Sequence, residues 1–298
     1  MGIFFVIDQK LINFESLTDL VQDKYRSYFG RPELTPYILS ELCALDMLYA
    51  VTMMKDGYYK DRLVLKGGHS VRNHVPLVDH RFSFDADFNT NSYAKFSFGT
   101  VDEIKKDLMD FGSSRRCQTR TEITQNTSML YFLEVKYRDE LRKMNQTIIE
   151  PPKIEICKTC RTIDEPTINP MNTMIDLALL GLKPPVLAHL SLEEQLANKL
   201  YVIGSNSRQR DNFDAYDVYR ICINNKINWK KTKDLFQTIV EKSEKRKLSS
   251  YVDECRRKLD TMLENQGKQD NLVNVLFNPQ SFSFNDMVSF VKTKYDFN

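Results

Sequence analysis

The stretch of residues 63–88, LVLKGGHSVRNHVPLVDHRFSFDADF, constrains this chain more than any other. It begins with an apolar run, turns at Gly67-Gly68, and ends with Asp85 and Asp87 inside a second apolar run. Successive side chains of a strand point to opposite faces, so Asp85 and Asp87 share one face. The stretch therefore predicts two strands, a glycine turn and a pair of carboxylates on one strand face.

This pattern favours a nucleotide-phosphate site. Two carboxylates on one strand face repel each other unless a cation lies between them. Mg²⁺ prefers oxygen ligands and bridges to substrate phosphates, and paired glycines let a phosphate approach backbone N–H groups closely. The structural alternative is a simple glycine turn beside exposed acids at a sheet edge.

A third carboxylate comes from the segment Lys153-Ile-Glu-Ile-Cys157, which alternates as a strand does. The alternation places Lys153, Glu155 and Cys157 on one face. Glu155 is thus expected on a strand that could neighbour the two aspartates. The alternative is an ion pair of Glu155 with Lys153 or Lys136 at a strand edge.

Two helices in the second half of the chain carry further charged candidates. A capping box at residues 191–194 begins one helix, and Lys199 lies at the edge of its apolar stripe. Asp214 and Asp217 are three residues apart on the next helix and face the same way. They are expected to orient Lys199 or Arg208, or to contact the base. The alternatives are a snorkelling lysine and aspartates that cap a helix N-terminus.

The remaining pattern predicts a helical N-terminus, strand-like segments in the middle and loops before a helical C-terminal half. The predicted segments are a helix over residues 7–28, a helix from Tyr37 to Lys55, an amphipathic helix over 101–111, strands over 118–137, loops over 160–190, and helices over 211–224, 230–244, 247–265 and 284–295.

Composition excludes few function classes. The chain has 298 residues and a net charge of +2, so any nucleic-acid surface must be local. No apolar run approaches the roughly 20 residues of a membrane span, and we expect a cytoplasmic protein without membrane contact. Six cysteines include a single close pair, Cys157-Lys-Thr-Cys160. Without a second pair to complete a zinc site, we expect reduced thiols.

The run Lys66-Gly67-Gly68 followed by Arg81-Phe-Ser-Phe-Asp85-Ala-Asp87 resembles the pattern KGG(T/S)…R-x-S-x-D-x-D of the AbiEii/AbiGii toxin family of nucleotidyltransferases. Three further segments are similar to that family and occur in its order, covering with the first roughly residues 60–222. These are Lys153 to Ile156 around the third acid, Glu193 to Leu200 around Lys199, and Arg210 to Tyr219 around the two helical aspartates.

The resemblance implies an α+β fold. Its nucleotidyltransferase domain is polymerase-β-like, with a mixed sheet and flanking helices over residues 1–165, and an all-helical C-terminal domain follows over 166–298. It implies a toxin of an abortive-infection or toxin–antitoxin system that transfers NMP from an NTP to RNA, with a tRNA 3′ end as the expected acceptor. Mg²⁺ is the expected cofactor and an antitoxin the expected protein partner.

The resemblance and the residue chemistry together suggest these site roles. The metal ligands are Asp85, Asp87 and Glu155; the catalytic residues are these three and Lys199; the nucleotide-binding residues are Lys66, Gly67, Gly68, Ser70, Arg81, Lys199, Asp214 and Asp217. His69 departs from the family, because a hydroxyl residue usually follows the two glycines. This departure leaves open a catalytically silent nucleotide-binding protein, and the same acids would also serve a transferase that modifies a protein.

Overall fold

The computed structural model describes residues 4–7, 10–13, 35–53, 57–83, 85–93, 106–107, 118–123, 128–134, 153–173, 177–205, 210–244, 247–276 and 282–297. The chain divides into two compact units. The first contains Met1–His69 and Phe82–His189, and the second contains Ser70–Arg81 and Leu190–Asn298. The domain bounds expected from the sequence, 1–165 and 166–298, stay a prediction.

The first unit is built on a mixed sheet. Its described strands are β3 (Leu63–Lys66), β4 (Asp85–Thr90), β5 (Gln118–Ile123), β6 (Ser128–Glu134), β7 (Lys153–Arg161), β8 (Thr167–Pro170) and β9 (Val186–His189). Among the described residues the order is β5-β6-β7-β4-β3-β9-β8. The β4–β7 and β3–β9 pairs are parallel and the other pairs are antiparallel. Helix α1 (Thr35–Met53) packs on β4 and β7, so the predicted helix from Tyr37 to Lys55 is confirmed.

Residues 63–88 contribute β3 and most of β4, two adjacent interior strands of the sheet. β3 buries Leu63, Val64 and Leu65 completely, as a central strand covered on both faces does. A short helix, α2 (Gly67–Val71), follows it, and two 3₁₀ turns, Arg72–His74 and Leu77–Asp79, lead on toward β4.

Two predictions about local structure are wrong. Phe4–Ile7 and Lys10–Asn13 form an antiparallel pair, β1 and β2, where a helix over residues 7–28 was expected; residues 14–28 lie outside the described part. Residues 160–190 were expected as loops, yet β8 and β9 add two strands to the sheet there. Four-residue strands are too short to show a clear alternation, which explains why their pattern misled.

The second unit is helical. Its helices are α3 (Leu192–Gly204), α4 (Asp211–Asn224), α5 (Trp229–Glu244), α6 (Leu248–Leu263), α7 (Gln266–Val275) and α8 (Phe284–Lys294). Helix α7 was not predicted as separate; Asn265 ends the preceding turn and caps α7 by accepting a hydrogen bond from the Lys268 amide. None of the described helices combines the length and apolar character needed to cross a bilayer.

Helix α3 is the centre of the second unit. It packs against α4, α5 and α6, and its stripe residues Leu196, Leu200 and Ile203 are fully buried. The predicted N-cap at Ser191 is confirmed, because the Ser191 hydroxyl accepts a hydrogen bond of 3.3 Å from the Glu194 amide. This buried helix fixes the position of Lys199.

Candidate active site

The glycine turn of the first unit is shaped to receive a carboxylate. Gly67 has a φ of +71°, a conformation that favours glycine. A Cβ atom placed on Gly67 would lie 2.5 Å from Oδ2 of Asp87. The absence of a side chain at Gly67 therefore lets the Asp87 carboxylate lie directly against the turn backbone.

The alternation predicted for β4 is confirmed. Ala86 and Phe88 are completely buried, while Asp85 and Asp87 on the opposite face are half-buried. The carboxylates are neither sealed in the core nor fully exposed at a sheet edge. β4 lies between β3 and β7, so the alternative of acids on an edge strand is excluded.

Three charged residues form a row across three adjacent strands. Asp87 pairs with Lys66 of β3 on one side and with Glu155 of β7 on the other. Directly paired residues of neighbouring strands point to the same face, with the strands about 4.8 Å apart. Glu155 is half-buried and stands between Asp87 and Leu130 of β6 in an interior strand, which argues against the strand-edge ion pair as its setting. The structure thus brings Lys66, Asp87 and Glu155 together.

Asn89 is a polar residue of this face that the sequence reading did not single out. It continues the alternation of Asp85 and Asp87, pairs with Cys157 of β7, and is 4 % exposed. Among the described residues its buried Oδ1 atom has no hydrogen-bond partner. The spacing D-x-D-x-N was a signal that could have found it.

The carboxylates do not form a finished metal site. Within the described ranges, no three His, Cys, Asp or Glu side chains gather into a group able to hold a metal ion. The donor chemistry still fits Mg²⁺, because carboxylate oxygens are its preferred protein ligands, and the Asp87 carboxylate occupies the space that a Cβ of residue 67 would fill. The assignment of Asp85, Asp87 and Glu155 as metal ligands stays a prediction.

The two residues after the glycines differ in their surroundings. His69 is completely buried, with Nδ1 3.9 Å from Oε1 of the buried Glu41 on α1. It therefore packs inside the first unit. Ser70 is also completely buried, and within the described residues its hydroxyl has no hydrogen-bond partner. Such a hydroxyl costs about 1–3 kcal/mol to bury, so it calls for an explanation.

Four charged residues of the second unit form a buried network. The Lys199 ammonium lies 2.6 Å from Oδ1 of Asp214 and 2.7 Å from Oδ2 of Asp217. Arg81 donates to both oxygens of Asp217, from Nε at 2.9 Å and from Nη2 at 2.8 Å. Lys199 is only 4 % exposed, which excludes a snorkelling lysine. The two aspartates bind cations here, so helix capping is excluded as their main role.

The segment that carries Arg81 is held on α4 by a second polar cluster. The Asp79 carboxylate accepts hydrogen bonds of 2.9 Å from Arg220 and from Asn224, and the Tyr216 hydroxyl donates to its backbone oxygen. Burial, followed by the nearby Arg72 guanidinium, lowers the pKa of His80 to about 3. His80 is therefore neutral at neutral pH. Arg208 lies outside the described residues, so its expected pairing with the aspartates has no structural counterpart here.

The close cysteine pair is oxidised. Cys157 and Cys160 form a disulfide in β7, so the prediction of reduced thiols is wrong for this pair. The expectation rested on the lack of a second close cysteine pair, and that pattern does not reveal the interruption of β7 that lets Cys157 and Cys160 meet.

Solved structures resemble this chain in fold. No curated protein sequence matches the chain. Among solved structures, the chain is similar to MenT4, a nucleotidyltransferase toxin from Mycobacterium tuberculosis H37Rv, with a TM-score of 0.52, 13% identity, and coverage of 91% of this chain and 99% of that one. A putative nucleotidyltransferase from H. pylori matches with a TM-score of 0.40 and 12% identity, covering 91% of this chain and 93% of that one.

The MenT4 likeness shows the fold, a mixed sheet with flanking helices and a helical C-terminal region. The family model of the nucleotidyl transferase AbiEii toxin, of type IV toxin–antitoxin systems, matches residues 51–283. That match covers well over half of the chain and includes every residue of both charged clusters. The chain therefore belongs to the AbiEii family of nucleotidyltransferase toxins.

Proposed function

We propose that this toxin transfers a nucleoside monophosphate from an NTP to a hydroxyl of RNA, with a tRNA 3′ end as the acceptor, and that an antitoxin protein restrains it. The observation that supports this most directly is the row of Lys66, Asp87 and Glu155 beside the Gly67 turn. It offers one cation and two carboxylates on neighbouring strands, next to a backbone that a phosphate can approach.

In the reaction, the acceptor oxygen attacks the α-phosphorus while the bond from that phosphorus to the bridging oxygen breaks. The nucleotide joins the acceptor, pyrophosphate leaves, and the hydroxyl proton passes to a base. Most of the barrier is lowered by positioning and by neutralising charge. The residues needed are therefore those that hold a triphosphate and those that orient a hydroxyl.

The first unit supplies the acids. Asp85 and Asp87, helped by Glu155, would hold Mg²⁺, which supplies positive charge to the triphosphate and favours the deprotonated acceptor. Glu155 is proposed to accept the hydroxyl proton, since it lies directly across from Asp87. Gly67 and Gly68 offer backbone donors to the phosphates, and Lys66 offers a cation.

The second unit is proposed to supply nucleotide contacts. The buried hydroxyl of Ser70 needs a hydrogen-bond partner, and a phosphate oxygen would provide one. Lys199 is proposed to neutralise triphosphate charge, with Asp214 and Asp217 fixing its ammonium and with Arg81 completing the network. The contacts support Asp214 and Asp217 as positioning residues for Lys199.

The test compares two aspartates of the first unit. Asp87→Asn keeps the shape of the side chain and removes its charge, whereas Asp61→Asn changes an exposed aspartate just before β3 that does not belong to the row. Each protein is incubated with each labelled NTP, Mg²⁺ and total cellular RNA. We expect label in RNA for the unchanged chain and Asp61→Asn, and at least a 100-fold loss for Asp87→Asn, the size typical of removing a key charge-stabilising group. Equal labelling by Asp87→Asn would refute the proposed role of the acids.

The same reactions distinguish the competing functions. Label in protein would indicate a transferase with a protein acceptor. Mg²⁺-dependent binding of NTP without release of pyrophosphate would indicate a catalytically silent nucleotide-binding protein. His69 is buried beside Glu41, so its imidazole packs inside the first unit, and the labelling experiment decides the silent alternative.

A further inference from the structure

The interrupted strand β7 holds a feature that the proposed reaction does not use. Asn89 of β4 pairs with Cys157, but the next residue, Thr90, pairs with Arg161. Residues 158–160 are therefore extra on β7 and form a bulge. The disulfide between Cys157 and Cys160 joins the two ends of that bulge.

The bulge and the disulfide require each other. In a regular strand, residues three apart lie about 10 Å apart at Cα and point to opposite faces, whereas a disulfide needs Cα atoms within roughly 7 Å. Here the Cα atoms of Cys157 and Cys160 are 5.2 Å apart. While the bond is intact, β7 cannot extend into a regular strand past Cys157; once it is broken, that constraint is gone.

This element lies beside the row of acids. Cys157 is two residues after Glu155, on the same face, and directly across from Asn89. Beyond the bulge, the Thr162 amide donates to the Thr90 backbone oxygen at 3.1 Å. Ser92 donates two hydrogen bonds to Thr162, from its amide to the Thr162 hydroxyl at 3.0 Å and from its hydroxyl to the Thr162 backbone oxygen at 2.7 Å. These bonds join the end of β4 to the far side of the bulge, so its shape bears on both acid-carrying strands.

The two sulfur-bearing residues differ in exposure. Cys157 is 3 % exposed, whereas Cys160 is exposed. A reductant therefore reaches Cys160 first. Both cysteines are residues of strand β7 and not of the first turn of a helix, which is the setting that lowers thiol pKa values in catalytic dithiols. It is suited to being a target of thiol–disulfide exchange, and not to catalysing it on other proteins.

We infer that Cys157 and Cys160 form a reversible dithiol–disulfide site, reduced by low-molecular-weight thiols, which sets the shape of β7 next to Glu155. A thiolate attacks Sγ of Cys160, the S–S bond breaks, and Cys157 leaves as a thiolate that takes up a proton. A second thiol attacks the mixed disulfide and releases Cys160. Two electrons and two protons are gained by the protein, and two thiol molecules leave as one disulfide.

The first readouts need no activity. The protein is oxidised with oxidised glutathione, and one half is then reduced with dithiothreitol. Alkylation under denaturing conditions should add two more alkyl groups to the reduced half than to the oxidised half, both on the peptide that contains Cys157 and Cys160. In the folded protein, hydrogen exchange at the Thr162 amide should become at least tenfold faster on reduction, while the peptide of α6 stays unchanged. No additional alkylation, an unchanged Thr162 amide, or faster exchange throughout the chain would each overturn the inference.

The variants separate this site from the other thiols. Cys157→Ser combined with Cys160→Ser should exchange at Thr162 as the reduced protein does and should ignore reductant. Cys222→Ser, which changes a thiol outside any disulfide, should keep the full response. If the double variant does not fold, the comparison of oxidised and reduced unchanged protein still decides.

An effect on nucleotide transfer rests on the proposed function, and it is measured separately. Reduction should lower the transfer rate about tenfold, because displacements below 1 Å at a reacting centre have effects of this size. If hydrogen exchange at Thr162 is the same in the oxidised and reduced protein, the redox switch is refuted. If neither state transfers nucleotide, the proposed reaction is refuted and the exchange result still stands.

Discussion

Replacement of Gly67 by alanine tests the contact on which the candidate site depends. The left-handed conformation, with φ of +71°, costs a residue with a side chain about 1–2 kcal/mol. The added Cβ would also stand 2.5 Å from Oδ2 of Asp87, and such atoms do not approach closer than about 3.0 Å. The carboxylate must therefore move by about half an ångström or more.

Gly57→Ala provides the matched control. Gly57 has a φ of +86°, and a Cβ there would meet its nearest neighbour, the Thr52 carbonyl oxygen, at an ordinary 3.7 Å. We expect both variants to lose about 1–2 kcal/mol of unfolding free energy from the backbone alone. Gly67→Ala should lose additional unfolding free energy, because its Cβ also displaces the Asp87 carboxylate. It should also slow nucleotide transfer at least tenfold, since catalysis is sensitive to sub-ångström displacement.

Urea unfolding measures the first quantity, and initial rates of label incorporation measure the second. If Gly67→Ala is as stable as Gly57→Ala and transfers at the unchanged rate, Asp87 does not lie against the turn. The backbone of Gly67 would then hold neither the carboxylate nor a phosphate.

Further expectations concern buried charge. Lys199→Met leaves the carboxylates of Asp214 and Asp217 buried without their ammonium, so urea unfolding should show a loss of about 3–5 kcal/mol in unfolding free energy. Lys292→Met breaks an exposed ion pair and should cost at most about 1 kcal/mol. Equal losses in the two variants would contradict the buried network. Folding lowers the pKa of His80 from 6.5 to about 3, so the unfolded chain binds a proton at His80 before the folded chain does. The free energy of unfolding therefore falls as pH drops from about 6.5 toward 3. Between pH 7 and pH 5 this amounts to about 2 kcal/mol, and His80→Asn should show a correspondingly weaker decline in urea midpoints over that range; parallel declines would show that His80 does not remain neutral when folded.

The parts of the fold that follow local periodicity were predictable. The N-cap at Ser191, the placement of Asp85 and Asp87 on one face, and the helix of Lys199 each depend on residues that lie close together in sequence. Helix caps and strand alternation are short-range effects, so the sequence carries them directly. The short strands β8 and β9 were not predicted, because four residues show too little alternation and the prolines in and beside these segments favour loops.

The ion pairs between residues far apart in sequence could not be predicted from local patterns. Nothing local indicates that Lys199 contacts both aspartates, or that Arg81, more than a hundred residues earlier, shares Asp217 with it. Burial makes these contacts obligatory, since a charge removed from water must find an opposite charge or a hydrogen-bond partner. Only packing decides which charges are buried.

The acids of the first unit show both contributions. By itself, the sequence determined that Asp85 and Asp87 share a strand face after a glycine turn, because alternation and the freedom of glycine are properties of the local chain. Only the tertiary structure decided that Glu155 lies opposite Asp87, that Asn89 continues the face, and that a bulge closed by a disulfide follows at once. Strand order and register come from long-range pairing and burial, which the spacing of residues along one segment does not encode.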